Sequence, residues 1–123
     1  MVMDFVRADY GYISDLGMFF IPKVMQEESE IKACKNNLIT LVKNEVQDGH
    51  ICLSYYKTVT MEEYIKMQKS MTKDIQLVDE FGRVILLRKH RAKLKIQPND
   101  ILVSYLLHDG TIKIRKLVKA QSV

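Results

Sequence analysis

Basic side chains are concentrated in one short segment of the chain. The residues there that could bind an anion are Arg83, Arg88, Lys89, Arg91, Lys93 and Lys95. Arginine presents a planar fork that fits a guanine edge or a phosphate, and lysine is a mobile point charge. An exposed arginine can instead pair with a neighbouring acid, here Asp79 or Glu80, and a basic helix face can simply be solvated. The segment therefore predicts a nucleic-acid contact, with a solvated surface as the competing interpretation.

The charge of the chain is distributed unevenly between its halves. Residues 1–57 contain six Lys or Arg and eight Asp or Glu, whereas residues 58–123 contain 13 and seven, so the halves carry −2 and +6 of a total of +4. We therefore expect the C-terminal half to meet an anionic partner. Four further cations lie on or after the last predicted strand, where we interpret them as edge-strand charges that discourage aggregation: Lys113, Arg115, Lys116 and Lys119.

The residues that usually perform catalysis or bind metals do not form a recognisable pattern. The three histidines, at positions 50, 90 and 108, have no metal-ligand spacing with one another or with Cys34 and Cys52. There is no glycine-rich phosphate loop and no nucleophile elbow. We therefore expect no metal, no cofactor and no enzymatic activity. The two cysteines are interpreted as reduced, partly buried thiols.

The length and composition indicate a globular protein. With 123 residues, 47% of them apolar and 28% charged, the chain is sized for one domain or for two small repeats that share a core. No apolar run approaches the ~20 residues of a membrane-spanning helix. Asp4 stands where a signal peptide would begin its apolar stretch. We therefore expect a cytoplasmic protein that has no membrane partner.

The elements that would position the basic segment follow from the turns around it. The acidic pair Asp79-Glu80 and Gly82 form a turn, Pro98 begins a second turn, and Asp109-Gly110 is a strong hairpin signal because glycine accepts a positive φ. Apolar stretches between these turns predict the secondary structure. In order, the predicted elements are a strand at 75–78, a strand at 84–87, a helix at 88–94, and strands at 101–107 and 111–115.

The N-terminal half can be aligned with this pattern. Gly17 and Gly82 lie 65 residues apart, and Gly49 and Gly110 lie 61 apart, so a duplication requires a four-residue length difference between the helix and the hairpin turn. Pro22 suits the first position of a helix. The aligned segments predict a strand into a helix at 19–23 and a hairpin with strands at 38–42 and 50–55.

Residues 58–74 lie between the two copies and predict a connecting helix. Thr60 and Glu63 have the spacing of a capping box, in which the threonine hydroxyl caps the first turn and the glutamate reaches back. Apolar side chains then follow at helical spacing, and we expect them to pack on the core: Met61, Tyr64, Ile65 and Met71.

The succession of strand, acidic-X-Gly-Arg turn, strand, basic helix and hairpin over residues 78–117 resembles the AbrB/SpoVT/MazE family of swapped-hairpin DNA-binding domains. The resemblance implies a mainly β fold with short helices: a swapped-hairpin, double-psi-like β-barrel built from two β-α-β-β repeats. A single copy would bury too little apolar surface to be stable, so pairing is expected. Because two copies are joined here, as in MraZ proteins, one chain could close its own barrel. The implied division is a degenerate repeat at 1–57, a connecting helix at 58–74 and a basic repeat at 75–123, with a shared core.

The two copies depart from the family pattern in different ways. The C-terminal copy has Leu87 where the family usually has proline, and His90 where an apolar helix residue is expected. The N-terminal copy has Met18 in place of the arginine, and its helix is acidic over residues 26–30. A phosphate backbone would be repelled by that helix. DNA contact is therefore expected mainly through the basic repeat.

Three functions remain open at this point. The first is a small transcriptional regulator that binds double-stranded DNA through Arg83 and the basic helix. The second is a MazE-type antitoxin, for which residues 118–123 are too short to wrap a toxin, so the acidic N-terminal repeat would have to bind that protein partner. The third is a protein-interaction barrel that has lost DNA binding. The sequence leaves open whether the protein is a self-closed monomer or a homodimer.

Overall fold

The structure is a computed structural model that describes residues 4–117, so Lys119 and the segment 118–123 lie outside the described residues. The fold is mainly β, with two antiparallel sheets and three short helices among these residues. The elements are β1 (Phe5–Tyr12), β2 (Met18–Phe20), α1 (Lys23–Glu27), β3 (Leu38–Gln47), β4 (His50–Thr60), α2 (Met61–Met67), β5 (Ile75–Leu77), β6 (Arg83–Ile85), α3 (Arg88–Lys93), β7 (Ile101–Leu107) and β8 (Ile112–Lys116).

The larger sheet has six strands in the order β1-β7-β8-β4-β3-β5. The hairpins β3-β4 and β7-β8 lie side by side and meet through β4 and β8. The first strand of each half pairs with the hairpin of the other half, β1 with β7 and β5 with β3. The halves therefore exchange strand pairings, and neither half contains all the hydrogen-bond partners of its own first strand. In the part of the chain that the structure describes, β1 and β5 remain the two edges of this sheet.

The registers relate the two halves by an approximate twofold axis. In the two-stranded sheet of β2 and β6, Phe19 lies opposite Val84, 65 residues later. In the larger sheet, Cys52 lies opposite Lys113, 61 residues later. These spacings equal those between the paired glycines of the turns. We call residues related in this way counterparts.

Side chains from both halves form one main hydrophobic core. Phe19, Met25 and Leu53 are fully buried with Val84 and Ile114, together with other apolar residues of both sheets. A second, smaller cluster contains Ile39, Leu41, Val59 and Ile75, and Tyr64, Met67 and Met71 pack against it. Each buried side chain of this size contributes about 1.5–3 kcal/mol through removal of apolar surface from water. Because the main core draws on both halves, they are expected to stabilise each other.

The connecting helix is shorter than the sequence predicts. Residues 58–60 continue β4, where Thr60 pairs with Leu38, and the helix covers only Met61–Met67. The predicted capping box is present: Glu63 N donates to Thr60 Oγ1 over 3.2 Å, and Thr60 N donates to Glu63 Oε1 over 3.1 Å. Tyr64 and Met71 pack on the second cluster as predicted, but Met61 and Ile65 are exposed. The expected core contact is wrong for those two residues, because a helix of under two turns presents only a narrow inner face.

The interpretation of the C-terminal cations as edge-strand charges is also wrong. Lys113, Arg115 and Lys116 belong to β8, which lies between β7 and β4 in the interior of the sheet. Arg115 Nη2 instead donates to the hydroxyl of Tyr105 over 2.8 Å, and Lys116 Nζ lies 3.2 Å from Asp100 Oδ2. Arg115 and Lys116 thus have a hydrogen-bond partner and an ion-pair partner, respectively, outside β8.

Strand β1 was not predicted from the sequence. All but one of its eight residues are exposed, so it lacks the alternation of buried and exposed positions that identifies a half-buried strand. Its backbone pairing with β7 from Phe5 to Tyr12 is a tertiary contact between residues almost a hundred positions apart.

The remaining sequence expectations concern cysteines, metals and membranes. Cys34 and Cys52 are free, and burial raises the pKa of the Cys52 thiol. Among residues 4–117, no three potential ligand side chains form a group that could hold a metal ion. None of the helices described has the length and apolar character needed to cross a bilayer.

Candidate nucleic-acid interface

Four cations project from α3 and the residues just after it. Arg88, Lys89, Lys93 and Lys95 are exposed. Within residues 4–117 none of these four lies within ion-pair distance of a carboxylate, whereas Arg7, Arg83 and Lys116 each do. The helix begins after Leu87, which takes an extended conformation at its N-cap without a side-chain cap. These four cations, which we call the α3 cations, are close together in sequence on one helix and the residues just after it. Other exposed lysines of the described residues, such as Lys66, Lys69 and Lys73, also lack a carboxylate partner but lie on a different element.

Arg91 lies on the same helix but is used inside the molecule. Its Nε donates to the carbonyl oxygen of Leu86 over 2.7 Å, and its guanidinium covers Gly17 on the turn of the other half. The counterpart of Arg91 is Gln26, whose Nε2 donates to the carbonyl oxygen of Ile21 over 2.9 Å. Gln26 likewise covers Gly82. Each helix thus braces the glycine turn of the opposite half.

These two turns also exchange backbone hydrogen bonds. Ile21 N donates to Gly82 O, and its counterpart Leu86 N donates to Gly17 O, both over 2.9 Å. Gly17 and Gly82 both have a φ of +79°, a conformation that favours glycine. The glycines that the sequence alignment paired are therefore equivalent positions of the fold.

Arg83 is paired with Asp79, which was one of the two interpretations open from the sequence. Arg83 Nε donates to Asp79 Oδ2 over 2.7 Å, and the guanidinium lies 4.9 Å from the ring centroid of Phe81 and 5.7 Å from that of Phe20. About a third of the side chain is exposed. Arg83 is thus held against the turn and presents only part of its surface to a partner.

Asp79 organises the turn on which Arg83 stands. Its Oδ1 accepts hydrogen bonds from Phe81 N over 2.9 Å and from Arg83 N over 2.8 Å. Burial opposes ionisation of Asp79, but the hydrogen bonds from Arg83 and Phe81 outweigh this effect and lower the pKa of the carboxyl. The counterpart Ser14 accepts one equivalent bond from Met18 N, over 3.1 Å. The turn that carries Gly82 and Arg83 is therefore held by hydrogen bonds to the side chain of Asp79.

The counterpart helix α1 presents the opposite charge. Glu27, Glu28 and Glu30 are exposed at its end and just beyond. Glu28 accepts from Arg7 on β1, with Arg7 Nη2 2.7 Å from Glu28 Oε1. Glu28 is the counterpart of Lys93. The approximate twofold axis thus relates a basic helix to a segment whose acids lie at the helix end and beyond it. The predicted acidic helix over residues 26–30 is wrong in extent, because α1 ends at Glu27.

A groove beside α3 was missed by the sequence analysis. It has a volume of about 690 Å³ and lies between α3, the C-terminal half of β3 and the residue before β5. Asn44, only 1% exposed, has no hydrogen-bond partner for either its Oδ1 or its Nδ2 within the described residues, and neither does Nδ1 of His90, 8% exposed. The residues that line the groove are Asn44, Glu45, Val46, Gln47, Asp74, Lys89, His90 and Lys93. Only the tertiary arrangement brings these residues of β3 and α3 to one groove, so no local sequence signal could have found them.

The two halves also expose apolar side chains at equivalent positions. Leu16 and its counterpart Phe81, at the tips of the two glycine turns, are 82% and 62% exposed. Phe20 and its counterpart Ile85, on the two-stranded sheet, are also exposed. Large apolar side chains that are this exposed are candidates for an interaction surface.

No known protein family, curated protein or solved structure matches this chain.

Proposed function

We propose that the chain is a small DNA-binding regulator of the AbrB-like kind, folded as a swapped-hairpin barrel, that contacts duplex DNA mainly through its basic C-terminal half. The observation that carries the proposal is the set of α3 cations, which are exposed and lack carboxylate partners among the described residues. Cations that are already solvated and unpaired can bind phosphates without first breaking an ion pair.

The barrel assignment is supported by the exchange of strand pairings between the halves. In a swapped-hairpin barrel, the hairpin of each copy lies against strands of the other copy, and β1-β7 and β5-β3 have this relation. The pairing of Phe19 with Val84 and of Cys52 with Lys113 supports a duplication whose two repeats share one core.

Within this proposal, the cations have different roles. Arg88, Lys89, Lys93 and Lys95 would contact phosphates, which position the protein on the duplex and make its affinity depend on salt. Arg83, held by Asp79 and stacked on Phe81, would approach a groove edge as a preoriented arginine. Arg91 would hold α3 in position without contacting DNA, because its Nε donates to the carbonyl oxygen of Leu86.

The test is DNA binding measured by fluorescence anisotropy at several salt concentrations. We expect the triple variant Arg88→Ala, Lys93→Ala and Lys95→Ala to bind generic duplex DNA more weakly. Each lost phosphate contact should reduce the slope of log affinity against log salt by about 0.9.

A matched control separates this site from a general effect of net charge. Lys66, Lys69 and Lys73 are exposed lysines on α2 and the loop after it, so their replacement by alanine removes the same three charges elsewhere. We expect this control to keep the wild-type salt slope. Equal losses in the two triple variants, or unchanged binding in the α3 variant, would refute the proposed interface.

A second candidate function is a protein-interaction barrel, and the exposed apolar residues of the turns favour it. Leu16 and Phe81 lie at equivalent positions, so a symmetric partner could bind both. Sedimentation of the wild type and of Leu16→Asp over a range of concentrations tests this candidate. Self-association in the wild type that is lost in the variant would support it, and a monomer at all concentrations would count against a second copy as the partner.

A further inference from the structure

We propose that the groove between α3 and β3 binds an adenine nucleotide, with Asn44 contacting the base and Lys89 and Lys93 the phosphate. The groove is identified by its buried polar atoms. Asn44 faces the space beneath α3, on the same side of β3 as Val42 and Val46, which pack in the main core. His90 faces this space from the helix. A buried amide that lacks both its donor and its acceptor partner destabilises the folded protein unless something supplies those hydrogen bonds.

The symmetry-related place in the fold provides an internal comparison, because the groove and its counterpart are each built from both halves. Asn44 lies opposite Leu53, and Ser104 lies opposite Ile114, the counterpart of Leu53. Ser104 is therefore the counterpart of Asn44. Its hydroxyl donates to the carbonyl oxygen of Asp9 over 3.2 Å, so that buried position is satisfied.

Two further positions around the groove differ in the same direction. The counterpart of His90 is Met25, a fully buried apolar side chain. The counterpart of Lys93 is Glu28, which is tied to β1 by its ion pair with Arg7. At the symmetry-related place in the fold these positions are therefore apolar, hydrogen-bonded or ion-paired. Asn44 and His90, in contrast, have polar atoms without partners among the described residues, beside an open groove. A requirement of the fold alone would not produce this difference.

The unpartnered groups specify the chemistry of the occupant. The side-chain amide of Asn44 needs both an acceptor and a donor, and the adjacent N7 acceptor and N6 amino donor of adenine match such an amide in a bidentate pair. The edge of guanine offers two acceptors, N7 and O6, and does not match. Adenine is therefore expected to bind more tightly than guanine.

The charges at the margin favour a phosphate on the ligand. Lys89 and Lys93 are one helical turn apart, so both can reach one anionic group. The two acids of the lining already have partners: Glu45 Oε1 lies 2.9 Å from Lys43 Nζ, and a hydrogen bond from Thr72 lowers the pKa of Asp74. The volume of about 690 Å³ lies within the range of small-molecule sites.

Binding of adenosine monophosphate to the full-length chain in the absence of DNA tests the proposal. Isothermal titration calorimetry should show binding of this nucleotide, weaker binding of guanosine monophosphate and weaker binding still of inorganic phosphate. Asn44→Ser, which copies the bonded counterpart, should weaken adenosine monophosphate binding about tenfold or more. It should leave the melting temperature unchanged or higher, because a serine there could donate to the Asp74 carbonyl.

Two further variants complete the test. Lys93→Glu copies the counterpart residue and should also weaken nucleotide binding, while Lys69→Glu makes the same charge change on an exposed lysine outside the groove and should not. No binding at millimolar nucleotide, or equal affinities of wild type and Asn44→Ser, would overturn the proposal. Either result would indicate that water alone occupies the groove. Equal binding of the adenine and guanine nucleotides would overturn the assigned contact.

One consequence rests on the proposed function. Because Lys89 and Lys93 belong both to the groove and to the α3 cations, adenosine monophosphate should compete with DNA and lower its apparent affinity in the wild type but not in Asn44→Ser. Nucleotide binding without any DNA binding would refute the proposed function alone. DNA binding without nucleotide binding would refute this inference alone.

Discussion

At the scale of single residues, Asp79 uses both carboxylate oxygens within one turn. It accepts bonds from two backbone amides and from the Arg83 guanidinium. Three hydrogen-bond donors favour the ionised form of this partly buried carboxylate. All three donors would lose their acceptor if Asp79 were replaced by a residue without a carboxylate. Asp79 thus explains why an acid precedes the Gly-Arg pair.

We expect Asp79→Ala to lower the free energy of unfolding by about 2 kcal/mol, because it removes hydrogen bonds to a charged group and leaves two backbone amides without an acceptor. Urea denaturation followed by circular dichroism measures this change. Glu80→Ala, an exposed neighbour with no such bonds among the described residues, should stay within about 0.5 kcal/mol of wild type. Similar losses in the two variants would show that the turn does not depend on the Asp79 bonds.

His90 makes stability depend on pH on the acid side of neutrality. Burial, followed by the positive charges of Lys89 and Lys93, lowers the pKa of its ring, and Asp74 opposes this only in part. The folded protein therefore favours neutral His90. The stability associated with it is present above the usual histidine pKa and is lost as the pH falls through that value toward the lower folded one. Glu45 is the remaining charged group that lines the same groove.

We expect His90→Met, which copies the counterpart Met25, to lose less thermal stability than wild type between about pH 7.5 and pH 5.5, since the variant has no histidine at this position to gain a proton on unfolding. Differential scanning calorimetry at several pH values measures the effect. His108→Met provides the control, because His108 is exposed and its ring lies against the exposed carboxylate of Asp4. Parallel melting curves for wild type and His90→Met would contradict the assignment.

At the scale of elements, each short helix is fixed by a side chain that reaches the turn of the other half. Gln26 from α1 covers Gly82, and Arg91 from α3 covers Gly17. Helices of five and six residues are too short to be stable by themselves. Their position, and with it the position of the α3 cations, therefore depends on the contact between the halves.

Gly17→Ala and Gly49→Ala separate this bracing from ordinary backbone strain. Both glycines have a positive φ, +79° and +77°, so both variants should lose about 1 kcal/mol to the left-handed conformation. An added Cβ at Gly17 would also lie 2.7 Å from the Arg91 guanidinium, whereas one at Gly49 would have no neighbour within 4 Å. We expect the larger loss of unfolding free energy for Gly17→Ala. Equal losses would indicate that Arg91 moves aside without cost.

The elements differ in how well the sequence predicts them. The hairpin turns at Gly49 and Gly110 and the capping box at Thr60 were predicted, because each depends on residues within a few positions of one another. The end of β4, the exposed position of Ile65 and the whole of β1 were not. Each of these is decided by pairing with a distant strand or by the narrow face that a short helix can bury.

At the scale of the whole molecule, the exchange of strand pairings makes the two halves one cooperative unit. The first strand of each half has its hydrogen-bond partners in the other half, and the main core contains residues of both. A half by itself would expose an unpaired strand edge and part of the core. The loss of one half should therefore unfold the other.

We expect a single unfolding transition, monitored by circular dichroism and by tyrosine fluorescence. Leu53→Ala and Ile114→Ala, a fully buried counterpart pair with one member in each half, should each lower the free energy of that same transition by about 2–5 kcal/mol. Tyr55→Ala, at a partly exposed position on β4, is the control and should cost less. Two separate transitions, with each variant shifting only one, would contradict the shared core.

The sequence by itself determined the local features of this protein: the glycine turns, the hairpins, the repeat spacing and the contrast between a basic segment and an acidic one. These depend on the φ preference of glycine and on charge along the chain. Only the tertiary structure decided which cations are free, since Arg91 and Arg83 are engaged by Leu86 and Asp79 while Arg88 and Lys95 are not. It alone also brought Asn44 and His90, 46 positions apart, to one groove. The reason is physical: whether a polar atom finds a partner depends on packing between distant elements, and no local pattern in the sequence encodes that result.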